Sequence, residues 1–181
     1  EFLKPQGTDG VRANAYQDSE LKTEDNLDGS IHLTDRLSTA TLLHFENRQT
    51  DHDGNDDGFM DMPKLRQYNI MHRWAYVSPR WISQLMVRAL HDERKGGQSR
   101  KHLAASSSES LYSTSVKTNR YEMQWKNGFT LNADHNTSIA LMMHGLWHDA
   151  DNIFGMTQYD VTQKNGYAQP MFETDINAHN N

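Results

Sequence analysis

Residues 120–131 read RYEMQWKNGFTL. Odd positions carry Tyr121, Met123, Trp125, Asn127, Phe129 and Leu131, and even positions carry Arg120, Glu122, Gln124, Lys126, Gly128 and Thr130. Successive strand residues point to opposite sides, so this alternation gives an extended chain one apolar and one polar face. Wound as a helix, the same residues would scatter Arg, Glu and Lys round the whole cylinder. The stretch reads as a strand.

The same period of two recurs on both sides of it. Tyr68, Ile70, Trp74 and Tyr76 share a face in 66–77, opposed by Gln67, Asn69 and Arg73. Trp81, Leu85, Val87 and Ala89 do so in 80–93, against Gln84 and Arg88. Ile139, Leu141, Met143 and Trp147 line up in 137–149, and Leu37, Thr39, Thr41, Leu43 and Phe45 in 37–48. Leu27, Ile31 and Leu33 mark a further strand, with weaker ones at 11–18 and at 158–175, where Pro170 interrupts. No segment shows a 3.6-residue stripe.

The links between strands alternate in length. TDR at 34–36, SPR at 78–80 and NADHN at 132–136 are short, whereas 49–65, 94–117 and 149–158 read as long and polar. Tight turns at one end and long loops at the other are the plan of an outer-membrane barrel. Trp74, Tyr76 and Trp81 around SPR, and Phe129 before NADHN, fit an aromatic girdle at headgroup level. The expected fold is all-β: an antiparallel meander of a transmembrane β-barrel with about eight strands.

Composition narrows the classes. There are 24 acidic and 18 basic residues, a net charge of −6, which argues against nucleic-acid binding. Cysteine is absent, which excludes disulfides, thiolate zinc sites and cysteine nucleophiles. The longest apolar run is IALMM at 139–143, far short of the ~20 residues a membrane helix needs. A mean hydropathy of −0.88 suits strands with one wet face. No phosphate loop, Ser-His-Asp spacing or pair of embedded carboxylates stands out, so no enzyme is expected.

The stretches LSTATLLHFENR, DHDGNDDGFMDMPKLRQYNIMHRWAYV and LMVRALHDERKGGQ, followed by TNRYEMQWKNGF, SIALMMHGLWHDADNIFG and YDVTQKNGYAQPMFETDI, together resemble the barrel of TonB-dependent outer-membrane receptors. Cobalamin- and siderophore-receptor-like members are the nearest in character, and the likeness runs over residues 11–178. It implies a bacterial outer-membrane location and a 22-stranded barrel closed by a plug that contacts TonB. It also implies a scarce nutrient as cargo, such as cobalamin, a ferric siderophore or haem, and as partners outer-membrane lipid, lipopolysaccharide and a surface lipoprotein. With about eight strands and no plug segment, residues 1–181 are expected to be a piece of the barrel wall. Arg73, Arg88, Glu122 and Lys126 would then face a wide, wet interior.

DHDGNDDGFMD, 51–61, gathers five aspartates and an asparagine round two glycines. Asp53, Asn55, Asp57, Gly58 and Asp61 match an EF-hand loop at positions 1, 3, 5, 6 and 9, but Lys64 stands where position 12 needs a bidentate Glu, and the flanks alternate as strands. A calcium ion in a long extracellular loop is the expectation, held by Asp51, Asp53, Asn55, Asp57 and Asp61 with Asp56 nearby; the plainer reading is a solvated acidic tip. His144 and His148 would lie about 13 Å apart on a strand, too far to share an ion. Arg94, Lys95, Arg100 and Lys101 give the second long loop a basic start that would meet anionic ligand or lipopolysaccharide phosphate. The competing functional class is a soluble or surface β-sandwich stabilised by calcium, acting as a binding module.

Overall fold

The computed structural model describes residues 9–99, 111–132 and 137–175. Eight strands form one antiparallel sheet in sequence order: β1 (Gly10–Gln17), β2 (Thr23–His32), β3 (Leu37–Arg48), β4 (Lys64–Val77), β5 (Trp81–Gly97), β6 (Ser113–Asn132), β7 (Thr137–Phe154) and β8 (Thr157–Glu173). The fold is the all-β meander that the alternation predicts. Each strand touches only its sequence neighbours, and among the described residues β1 and β8 do not meet. The sheet is therefore open here, and closure into a barrel belongs to the functional proposal below.

The strands lengthen along the chain, from 8 residues in β1 to 20 in β6. Ordinary globular strands run ~3–10 residues, so β4 to β8 are long even for a sheet-rich domain. Pro170, which has no N–H to give to a ladder, sits on β8 at the edge of the sheet, where it is tolerated.

β1, β3, β5 and β7 end at one edge of the sheet, where 49–63 is long and 18–22 and 155–156 are tight; β2, β4 and β6 end at the other, where 33–36 and 78–80 are tight. Two expected loops shrink. The loop expected at 149–158 is a two-residue turn, Gly155-Met156, between β7 and β8. Its polar residues belong to strands, since Asp149 pairs with Thr162 and Asp151 with Asp160. Gly155 supplies the positive φ, +61°, that so tight a reversal needs. The loop expected at 94–117 is shorter at both ends, because β5 runs to Gly97 and β6 starts at Ser113. Arg94 and Lys95 are strand residues held by Asp92 and Glu93. Arg100 and Lys101 lie outside the described residues.

No second layer covers the sheet among the described residues. Leu65, Ala75 and Ala150 are the buried apolar side chains, while Trp74, Trp81, Trp125, Trp147, Phe129 and Leu141 all stand at least 37% exposed. A sheet of this size carries its apolar surface outward rather than into a core.

Candidate functional site

The register gathers most of the large apolar residues of β3 to β7 onto one face, while β8 departs from this, with Tyr159, Val161, Tyr167 and Met171 on the other. One row across the sheet reads Ile31, Thr39, Trp74, Leu85, Trp125, Met143 and Ala168. The next row toward the long loops reads Val11, Gly29, Thr41, His72, Val87, Met123, Gly145 and Gly166. All four tryptophans of the chain, Trp74, Trp81, Trp125 and Trp147, stand on this face.

Two aromatic rows border it. Near the short turns, the Tyr76 and Trp81 rings lie 4.7 Å apart, and Trp81 stacks on Phe129 at 5.7 Å. Toward the long loops, Phe45 meets Tyr68 at 5.1 Å and Tyr121 meets Trp147 at 5.7 Å. Tyr68 and Tyr76, and likewise Tyr121 and Phe129, are eight residues apart on their strands. Eight residues span ~27 Å along a strand, or ~20 Å of height at the ~40° tilt of a membrane strand. Between the two rows this face carries no Asp, Glu, Lys or Arg on any strand. At the upper border charge returns at once: Asp25 and Asp149 stand in the row of Phe45 and Tyr68, and Arg66, Glu93, Lys117 and Asp151 in the row beyond it. One tryptophan departs from the expected girdle: Trp74 lies in the middle of the band beside Leu85, because its nearness to the SPR turn in sequence does not fix its height.

Polar groups inside the band are matched to one another. Thr41 Oγ1 lies 2.7 Å from His72 Nδ1, and His72 Nε2 lies 2.9 Å from Thr39 Oγ1, which donates to the Arg73 carbonyl at 3.0 Å. The Trp125 indole N–H donates to Ser83 Oγ at 3.2 Å, and that of Trp81 to Asn127 Oδ1 at 3.4 Å. Such pairing matters most where water cannot supply partners. The periodicity finds the apolar positions, but not these matches, which join residues far apart in sequence.

The opposite face carries ion pairs and other polar groups, interspersed with Leu42, Met71, Leu90 and Leu146. Arg88 reaches Glu122 at 3.7 Å and Asn69 at 3.1 Å, Arg120 pairs with Glu122, and Arg12 pairs with Asp28 at 2.9 Å. Arg73 and Lys126 stand on this face too, as expected from the alternation. Above the band, the Lys22 ammonium sits 2.8 Å from Glu46, which raises its pKa above 10.5. Lys95, 2.6 Å from Glu93, holds that carboxyl below its usual 4.5.

The aspartate loop is organised by its own amides. Gly58 N–H donates to Asp53 Oδ2 at 3.0 Å, Gly54 N–H to Asp61 Oδ2 at 2.7 Å and Phe59 N–H to Asp57 Oδ1 at 2.8 Å, while Asn55 and Asp57 bond to each other. Asp53 is almost fully buried beneath Gly58, whose φ of +84° is one glycine allows. Asp51 opens the loop beside His52, which bridges to Met62 across it. Among the described residues no three His, Asp or Glu side chains converge as a metal cage. Asp51, Asp53, Asn55, Asp57 and Asp61 thus share one loop, with three of the carboxylates spent on backbone donors.

The fold and this surface define a class: an all-β antiparallel meander with a charge-free band across one face. No protein family, no curated protein and no solved structure matches the chain.

Proposed function

We propose that this sheet is a stretch of outer-membrane β-barrel wall. Its apolar face meets lipid, its polar face lines a water-filled path, and the barrel belongs to a TonB-dependent receptor for a scarce nutrient. The observation that carries the wall is the charge-free band between two aromatic rows, of about the height of a bilayer's apolar zone. Its internally matched polar groups agree with that, as does a polar face of ion pairs. A sandwich would lay a second sheet over Trp125 and Leu141, and the described residues place nothing there. The receptor class rests on the strand-and-loop resemblance. Calcium is not needed for this reading, since the aspartate loop is held by its own amides.

The four tryptophans supply the test. In vesicles of phosphatidylcholine brominated along its acyl chains, intrinsic fluorescence should fall strongly, most of all for a variant that keeps only mid-band Trp125. Emission indifferent to bromine, or a chain that is a monodisperse monomer without detergent, would overturn the proposal.

A further inference from the structure

Within the apolar face a groove of about 650 Å³ opens between β5 and β8, in the size range of ligand sites. Its floor lacks a side chain at Gly145, and the next strands offer Met123 and Val87 as one wall. Tyr121 and Trp147 close its upper end. Lys164 lines that end, its Nζ 5.7 Å from the centre of the Trp147 ring. Lys164 is the one charged residue in the row Ala13, Leu27, Leu43, Ile70, Ala89, Tyr121, Trp147, Lys164, at the border where charge returns.

We infer that this groove is a lipid subsite, occupied by a phosphate-bearing membrane lipid with one acyl chain over Gly145 and its phosphate at Lys164. The inference rests on the membrane reading above and goes further, because it separates one patch of the band from the rest. On this face the groove's side chains are apolar apart from His72 and Lys164, since Arg88, Glu122 and Asn165 belong to the opposite face, and that favours an acyl chain over a polar solute. A single ammonium at the upper lip complements a single anion, and its methylene stem lies along the apolar wall. Resting over Trp147 holds the ammonium in place before a lipid arrives.

The groove can be filled without strain. A Cβ added at Gly145 meets nothing within 4 Å, so Gly145→Leu occupies the floor while the fold stays intact. The experiment places the full chain in phosphatidylcholine vesicles doped with brominated phosphatidylglycerol or, at equal mole fraction, brominated phosphatidylcholine. Trp147 is read in a variant with Trp74, Trp81 and Trp125 replaced by Phe, and total emission is read in the unaltered chain in case that variant folds poorly. The expected result is about a fivefold preference for phosphatidylglycerol, the factor one lysine near a membrane surface supplies. Lys164→Gln abolishes the preference, Lys164→Arg keeps it, and Gly145→Leu reduces quenching by either lipid at Trp147 alone. Free inorganic phosphate at the same concentration leaves the preference unchanged. Equal quenching by the two lipids, or a preference that survives Lys164→Gln, overturns the subsite but leaves the barrel wall standing. No quenching by either lipid overturns the membrane reading itself.

Discussion

Met142 and Met143 are adjacent in β7 and of identical chemistry, yet the register puts them on opposite faces. Met143 shares its row with Trp125 and Ala168, halfway between the aromatic rows, whereas Met142 lies opposite Lys126 and Gln169. An arginine at Met143 must then carry its charge to the middle of the band. On the lipid face of a barrel this costs ~2–4 kcal/mol, falling to ~0–1 near the interfaces. The folded-to-unfolded ratio should drop about 30- to 700-fold. At Met142 the same change faces water, and its charge opposite Lys126 costs at most ~1 kcal/mol. Two further positions separate a bilayer from ordinary burial. Ile139 and Ile153 are equally exposed, 40% and 41%, but one sits at the lower aromatic row and the other beyond the upper one. Arginine at either should cost far less than at Met143, giving a peaked profile along one face of one strand. The assay is urea unfolding in phosphatidylcholine vesicles, followed by tryptophan emission. Equal costs at Met142 and Met143, or a cost at Ile153 matching that at Met143, would refute the reasoning.

The loop and the rim of the sheet offer two more tests. Asp53→Ala removes the acceptor for Gly58 N–H, so limited proteolysis within 49–63 should speed up several-fold; if millimolar calcium slows cleavage of the unaltered chain and not of an Asp53→Ala/Asp57→Ala variant, the loop binds that ion, and if cleavage is the same with and without calcium in both, it does not. Glu93, its pKa held below 4.5 by Lys95, stabilises the tip of β5 above pH 4.5, and this contribution is lost as the pH falls through the lowered value. Amide exchange at Gly96 and Gly97, corrected for intrinsic rates, should therefore show less protection in acid than at pH 7, and Glu93→Gln should erase the difference.

The fold was readable because its decisive signal is local. In RYEMQWKNGFTL each residue declares its face without reference to any other strand, and the strands around it repeat the declaration, weakly at 11–18 and 158–175. Strand ends were less legible. Asp149, Asp151, Arg94 and Lys95 look like loop residues in isolation, but where strands outrun the band both faces are polar and the alternation loses its contrast. The aspartate loop could be found by composition, yet its wiring could not: whether Asp53 serves a metal or the Gly58 amide depends on backbone geometry. The glycine-floored groove was invisible for a different reason. Gly145 carries no pattern of its own, and only the register sets it beside Met123 and Val87.

With a bilayer over the band, the strands project well beyond it. β6 begins at Ser113, eight residues before Tyr121, and β5 ends at Gly97, eight past Ala89. At ~3.4 Å per residue and a tilt of ~40°, that wall rises ~20 Å above the upper aromatic row. The aspartate loop is fastened at this height: Met60 N–H donates to the Gly97 carbonyl, Ser99 N–H to that of Gly58, each at 2.8 Å, and Phe59 bridges to Gln98. Screening at physiological salt has a length of ~8 Å, so carboxylates anchored at that height stand about two such lengths above the upper aromatic row. They act on what arrives from solution and barely on the membrane. Lys164 sits at the aromatic row itself, at the headgroup level of the proposed membrane. On the membrane reading, height set by strand length separates the aspartate loop from Lys164, with the charges of Arg66, Glu93, Lys117 and Asp151 between them.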